Sequence, residues 1–196
     1  NYMDPSGDVI SYGGNADGVD WVASDTALLA ARGDEIFPGA GIVWTEAGFG
    51  QTYFLAFTAP RGAHVIGGLT SDPDANANAY VVYNNSRVIL RENDPIDLNS
   101  NGVFDDDAYV HIFRDDMGFV TCDGWLYINV RTRNSSGLCS GTPAETGQAF
   151  VRVRAFCPAD WSGNHVINSQ DFFDFLTGFF SDNADFNCDN VTNSQD

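Results

Sequence analysis

Short runs in which apolar and polar residues alternate fill the chain from residue 8 to about residue 156. This alternation is typical of β-strands that bury one face. Asn84 and Asn85 separate two runs and predict a hairpin, because Asn tolerates the positive φ of a tight turn. Many short strands at near-regular spacing predict a mainly β fold, an antiparallel β-sandwich of jelly-roll or immunoglobulin-like type. The predicted strands are 9–12, 21–24, 41–45, 52–58, 64–67, 79–83, 87–90, 109–113, 125–133 and 149–156.

The pattern changes at Cys157, beyond which apolar residues recur with the period of a helix. From Phe172 they stand at i, i+3, i+4 and i+7, and Asn168 or Ser169 is placed to cap the first turn. The sequence therefore predicts one amphipathic helix and two domains. These are a β-sandwich over 1–156 and a small helical module over 157–196.

Charge narrows the range of functions. The 196 residues include 27 acidic and nine basic side chains, for a formal net charge of −18, and all nine basic residues are arginine. The absence of lysine excludes a phosphate-loop lysine and Schiff-base catalysis. Such a negative surface repels phosphates and anionic lipids, so we expect neither nucleic-acid binding nor membrane insertion. We expect four arginines of the last two strands to lie on a solvated face: Arg131, Arg133, Arg152 and Arg154.

The four cysteines fit two disulfides, a metal site or buried free thiols. A bridge between Cys122 and Cys139 would close a loop of about 17 residues and contribute roughly 3 kcal/mol. Cys157 and Cys188 remain as a second pair. Disulfides favour an oxidising compartment, so we expect a secreted protein, extracellular or at the cell surface. Three sequons are compatible with glycosylation, at Asn84, Asn134 and Asn190.

No arrangement of residues indicates catalysis. His64, His111 and His165 stand apart in the sequence, outside metalloprotease and nucleophile-elbow motifs. No two of the 27 acidic residues are singled out as a glycosidase pair. We therefore expect a protein that is not an enzyme, with sugar binding through its tryptophans left open.

A twelve-residue pattern occurs twice, as DWSGNHVINSQD over 160–171 and DFNCDNVTNSQD over 185–196. Oxygen-bearing side chains stand at positions 1, 3, 5, 9 and 12, and a valine at position 7 offers its carbonyl. Calcium takes six to eight oxygen ligands, and this EF-hand-type spacing lets one loop wrap the ion. The repeat therefore predicts calcium as the cofactor.

The duplicated loop with a Phe-rich helix after it resembles a type I dockerin, especially the dockerin-like C-termini frequent on secreted planctomycete-type bacterial proteins. The resemblance implies a first site formed by Asp160, Ser162, Asn164, the Val166 carbonyl, Asn168 and Asp171. It implies a second site formed by Asp185, Asn187, Asp189, the Val191 carbonyl, Asn193 and Asp196. It also implies a cohesin-like receptor, contacted by Phe172, Phe173, Phe179 and Phe180.

The pattern departs from that family in two respects. The turn glycine usual at position 6 is His165 in one loop and Asn190 in the other. The second loop ends at Asp196 without the helix a dockerin would carry. Either the module continues beyond this sequence or it is not a complete cohesin-binding dockerin.

A third acidic loop lies within the predicted sandwich. Oxygen donors alternate there, a glycine follows for the sharp turn, and three aspartates close the segment. The predicted ligands are Asp97, Asn99, Asn101, Asp105 and Asp107. The alternative is an Asx-rich turn whose side chains cap the backbone.

Residues 50–156 also resemble the bacterial pre-peptidase C-terminal (PPC) β-sandwich family. The likeness rests on QTYFLAF, AYVVYNNSRVILREND, GWLYINVRTR and GQAFVRVRAF. It implies a non-catalytic extracellular accessory module.

These observations together predict a non-catalytic, calcium-stabilised extracellular structural protein. We expect it to self-assemble as a cell-surface or filament subunit, with residues 1–12 as a strand exchanged between neighbours. The alternative is a docking module that carries an accessory or carbohydrate-binding sandwich to a cohesin-like receptor.

Overall fold

The computed structural model describes residues 2–3, 9–46, 50–137, 145–164, 166–187 and 191–196. Eleven strands and one α-helix are present in these ranges. The strands are β1 (Tyr2–Met3), β2 (Val9–Gly14), β3 (Asp20–Ser24), β4 (Leu28–Ala31), β5 (Tyr53–Ala59), β6 (Ala63–Leu69), β7 (Ala79–Tyr83), β8 (Arg87–Arg91), β9 (Tyr109–Val120), β10 (Trp125–Arg133) and β11 (Glu145–Arg154). The helix α1 spans Ser169–Phe179. The fold is mainly β, as predicted.

The strands form three antiparallel sheets, each a meander of consecutive strands. The N-terminal sheet has the order β1-β2-β3-β4, the middle sheet β5-β6-β7-β8, and the outer sheet β11-β10-β9. Jelly rolls and immunoglobulin folds need Greek-key connections, in which strands from distant hairpins pair. The described pairings contain none, so the predicted jelly-roll or immunoglobulin-like topology is replaced by stacked meanders.

The middle sheet is buried on both faces. One face packs against the outer sheet in a core that includes Leu55, Val65 and Val81. The opposite face packs under the N-terminal sheet in a second core that includes Ile66 and Val82. Successive residues of a strand point to opposite faces, so each middle strand contributes to both cores.

Local sequence predicts the hairpin between β7 and β8 but not every other strand. The hairpin between β7 and β8 turns at Asn84 and Asn85, both at positive φ, which confirms the predicted turn. β4 was not predicted. The expected strand at 41–45 is reduced to isolated bridges at Val43 and Trp44.

The described part of the N-terminal segment, residues 2–3 and 9–12, is paired within its own chain, and residues 1 and 4–8 lie outside the described residues. β2 lies between β1 and β3, and Ile10 on β2 is buried in the second core. A strand exchange through residues 1–12 would therefore have to remove β2 from both neighbours and expose Ile10.

Arg61 ties the C-terminal module to the β-structure. It lies at positive φ in the short turn between β5 and β6. Its guanidinium stacks 4.1 Å from the ring centroid of Trp161 and donates hydrogen bonds to the carbonyl of Pro158. The same group lies 5.4 Å from the ring of Phe156. Cation–π contacts and hydrogen bonds thus dock the module against this turn.

Gly68 on β6 lets the Trp44 ring pack closely against the middle sheet. A Cβ on Gly68 would lie 2.8 Å from the Thr52 carbonyl oxygen and 3.0 Å from the Trp44 ring. We expect Gly68→Ala to lower the free energy of unfolding by about 1–3 kcal/mol, because a packed core resists added methyls. Gly147→Ala is the control, since its nearest neighbour lies 3.8 Å away. Urea unfolding of both variants measures this, and equal losses would contradict it.

Candidate calcium-binding loops

The first repeat loop (residues 160–171) wraps around its last carboxylate. Asp171 is buried and its two oxygens accept the backbone N–H groups of Ser162 and Asn168. At the start of the loop, the backbone N–H of Asn164 donates to the carboxylate of Asp160. The side-chain oxygen of Asn164 in turn accepts the N–H of Val166. Position 12 therefore closes the loop, and position 1 shapes its first turn.

The second repeat loop (residues 185–196) closes in the same way. The carboxylate of Asp196 accepts the backbone N–H groups of Phe186 and Asn187 on one oxygen and of Asn193 on the other. The backbone donors at positions 3 and 9 are thus the same in both repeats. Asp189, His165 and Asn190 lie outside the described residues.

The acidic loop (residues 97–107) repeats this scheme in the β-structure. The carboxylate of Asp97 accepts the N–H groups of Asn101 and Gly102, and the Asn101 side chain accepts that of Val103. The closing carboxylate is Asp106, which accepts the backbone N–H groups at positions 2 and 3 of the loop.

The ligands predicted from the sequence include Asp105 and Asp107 but not Asp106. In the structure Asp107 lies at positive φ and accepts the backbone N–H of Ser135, so it ties the loop to the end of β10. Asp105 is exposed. The signal that identifies Asp106 is the shared hydrogen-bond scheme of the three loops.

The asparagines at position 9 accept a backbone N–H two residues further along the chain, and Asn168 thereby caps α1. The side-chain oxygen of Asn168 accepts the N–H of Gln170, and Asn193 does the same with Gln195. Their amide groups point to the valine carbonyls at position 7, at 3.4 and 3.3 Å. Position 9 of an EF-hand often reaches its ion through water, which agrees with this capping geometry.

Backbone donors hold the closing carboxylates ionised. Hydrogen bonds from Asn168 and Ser162 lower the pKa of Asp171, and a hydrogen bond from Asn193 is the main cause of the lowered pKa of Asp196. Both carboxylates therefore stay charged well below neutral pH, in the form that binds a cation.

The donor chemistry of the loops fits calcium. The ligand positions offer carboxylate, amide, hydroxyl and carbonyl oxygens, which hard cations prefer. The described residues contain no cluster of three or more His, Cys, Asp and Glu side chains placed for a metal ion. Any calcium site here thus depends on Asn, Ser and backbone oxygens beside one or two aspartates.

A small aromatic core holds the two repeat loops together. Phe175 of α1 lies 5.1 Å from Trp161 and 6.3 Å from Phe186, measured between ring centroids. A cavity of about 320 Å³ lies beside this core, and both closing carboxylates line it. Of the four phenylalanines predicted to bind a partner, Phe172, Phe173 and Phe180 are exposed, whereas Phe179 is half-buried against Phe175.

The cysteines follow the predicted pairing only in part. Cys157 is a free thiol, so the predicted bridge to Cys188 is wrong. The Cys157 side chain lies near the guanidinium of Arg61, at the junction of the module with the β-structure. Cys122 is not a free thiol, but Cys139 and Cys188 lie outside the described residues, and the Cys122–Cys139 pair stays a prediction.

The candidate glycosylation sites differ in exposure. Asn84 is exposed at its hairpin turn, and Asn134 is half-buried. Glycosylation of either residue stays a prediction.

A buried polar cluster lies beneath the root of the acidic loop. Arg133 is almost fully buried and lies 3.3 Å from a carboxylate oxygen of Glu92, and His111 lies 3.7 Å from the same oxygen. Arg133 also donates to the side chain of Asn93. The expectation that Arg133 is solvated is therefore wrong. The pairing of β10 shifts register beside it, which ends the alternation that the prediction assumed.

Burial perturbs the titration of this cluster. Desolvation raises the pKa of Glu92 to about 7, although Arg133 opposes the shift. Desolvation also lowers the pKa of His111. His64 is isolated from the cluster and is a buried group of lowered pKa whose Nε2 has no hydrogen-bond partner among the described residues.

No family model, curated protein or solved structure matches this chain. The resemblances to dockerins and to PPC domains therefore stay predictions. No helix among the described residues is long and apolar enough to cross a bilayer.

We expect Asp106→Asn to weaken calcium binding to the acidic loop by about 10- to 100-fold, because it removes charge from the carboxylate that organises the loop. Asp105→Asn is the control with the same change in charge and should cost less. Calorimetric calcium titration of both variants tests this. A larger loss in Asp105→Asn would contradict the assignment.

The raised pKa of Glu92 makes the stability of the fold decrease as the pH rises. The lowered pKa values of Asp171 and Asp196 act in the opposite direction. The pKa of Glu92 is raised from 4.5 to about 7 in the folded state, so its contribution to stability is fully present below about pH 4.5 and is lost as the pH rises through about 7. We expect the stability of the wild type relative to Glu92→Gln to fall between about pH 5 and 8. Urea unfolding across that range measures it, and a flat or rising difference would disprove it.

Proposed function

We propose that this chain is a secreted, non-catalytic structural protein of bacterial type, stabilised by calcium and assembling with copies of itself at the cell surface or in a filament. The observation that carries the proposal is the repetition of one loop scheme at three places. In each loop a single carboxylate gathers the backbone of the preceding residues.

The charge of the chain supports a role for calcium. With 27 acidic residues against nine arginines, the folded state is opposed by repulsion among its own carboxylates. A divalent cation in each loop offsets that repulsion where it is greatest. Because a preformed site is absent from the unfolded chain, the binding energy stabilises the fold.

A structural role fits the buried polar groups better than catalysis does. Glu92 and Arg133 are buried and His111 is half-buried, and the three form one ion-paired cluster. The cavity in the C-terminal module is lined mostly by apolar side chains, and its acidic members are the closing carboxylates. These groups serve to hold loops in place.

The second candidate function is docking to a cohesin-like receptor. The observation that favours it is the exposure of Phe172, Phe173 and Phe180 along and beyond α1. Three exposed phenylalanines on one small module lower its solubility. Exposed apolar clusters of this kind are typical of contact surfaces.

We expect the purified protein to form regular filaments or sheets in millimolar calcium that disperse in excess EGTA. Negative-stain electron microscopy at one protein concentration tests this, and magnesium in place of calcium is the control. Single particles in both conditions would contradict self-assembly and favour the docking function. Assemblies unchanged by EGTA would contradict the calcium requirement.

The route of assembly is tested separately. Deletion of residues 1–12 should abolish filaments if they form by strand exchange, since no donor strand remains. Filaments that persist in the deletion variant would exclude that route and leave self-assembly itself intact.

A further inference from the structure

The outer sheet carries an exposed face of aromatic and arginine side chains near the turn between β9 and β10. Phe119 and Phe150 are about half exposed. Tyr127 lies between them, 5.2 Å from Phe119 and 6.1 Å from Phe150 between ring centroids. Adjacent rings on three neighbouring strands form a continuous apolar strip, and such strips mark interaction sites. We call it the aromatic–arginine face.

Two exposed arginines complete this face. The guanidinium groups of Arg152 and Arg154 lie 4.4 and 3.9 Å from the ring centroid of Trp125. Neither forms an ion pair among the described residues, whereas the carboxylates of Glu46, Asp72, Glu92 and Glu145 pair with arginine elsewhere. Asp123 stands in the turn at the rim of the face. Among the described side chains, this face carries a local excess of positive charge in a chain of net charge −18.

The acidic loop has the complementary composition. It contains four aspartates within residues 97–107, and it exposes Leu98, Val103 and Phe104, the last of these by 67%. None of these three apolar residues stands at a predicted ligand position of the loop. With one calcium ion bound, the four aspartates still leave an excess of negative charge.

The two surfaces lie at opposite ends of β9. The acidic loop leads directly into Tyr109 at the start of the strand, and Phe119 stands near its end. Phe119 pairs with Tyr127 and Tyr109 pairs with Arg133, and these partners are six residues apart on β10. At about 3.3 Å per residue, the two ends of the strand therefore lie roughly 20 Å apart. One molecule therefore cannot bring its own loop onto its own face, but a second molecule can.

We propose that the aromatic–arginine face binds the acidic loop of a second copy of this chain, so that copies add head to tail. The contact joins two different surfaces, and each molecule keeps one of each free, so addition continues into an open filament unless the rotation closes a ring. Phe104 packs against the Phe119–Tyr127–Phe150 strip, and the loop carboxylates pair with Arg152 and Arg154. Unlike strand exchange, this contact requires no removal of β2 from its sheet.

This inference rests on the proposed self-assembly and assigns its interface. Two variants separate the partners: Arg152→Glu with Arg154→Glu disables the face, and Phe104→Lys disables the loop while keeping every aspartate. Sedimentation velocity in millimolar calcium reads out mass, and circular dichroism checks folding. Leu28→Lys, at an exposed position of the N-terminal sheet, makes the same charge change as Phe104→Lys and is its control. Arg32→Glu, which makes half the charge change of the face variant away from both surfaces, is the second control.

We expect the wild type and both controls to form polymers and each disabled variant alone to sediment as a monomer of 21.3 kDa. An equimolar mixture of the two disabled variants should form dimers of twice that mass and nothing larger. One intact loop then meets one intact face, and both remaining ends are blocked. This dimer is a positive signal that misfolding of either variant would not produce.

Polymers in the face variant equal to those of the wild type would overturn the interface and leave self-assembly standing. A mixture that stays monomeric would overturn the interface as well. A wild type that stays monomeric in calcium would instead overturn the proposed function and this inference together.

Discussion

The burial of the middle sheet on both faces is the constraint on which the rest of the structure depends. Its strands are shared by two cores, so neither the N-terminal sheet nor the outer sheet has a complete core without it. Gly68 on β6 gives room for Trp44 to pack against the sheet, since a Cβ there would lie 3.0 Å from the Trp44 ring. The polar loops leave the sheets at their edges, where water and ions have access.

Loops outside the strands hold most of the negative charge that the buried sheets cannot accommodate. Strands of a buried sheet cannot carry many charges, so the carboxylates of this acidic chain are gathered into connections and into the C-terminal module. In all three loops, backbone N–H groups donate hydrogen bonds to a closing carboxylate. The loops therefore have a defined shape. In the proposed function, calcium binds to loops that these hydrogen bonds already hold in that shape.

Local patterns predicted the strands well and the layers poorly. The bounds of β7 and β10 match the predictions to the residue, because each has an apolar pattern with clear turn residues beside it. Four consecutive buried residues at the start of β7 indicate burial on both faces, a signal that the strand predictions did not use. Arg133 and Asp106 were misassigned because a register shift and a choice among adjacent aspartates depend on tertiary contacts.

The proposed function requires that the three loops bind calcium and that this binding orders them. Hydrogen exchange followed by mass spectrometry, on the wild type in millimolar calcium and in excess EGTA, measures this. We expect peptides covering residues 97–107, 160–171 and 185–196 to gain protection in calcium, whereas those from β6 and β7 should change little. Equal exchange in both conditions throughout the three loops would contradict it.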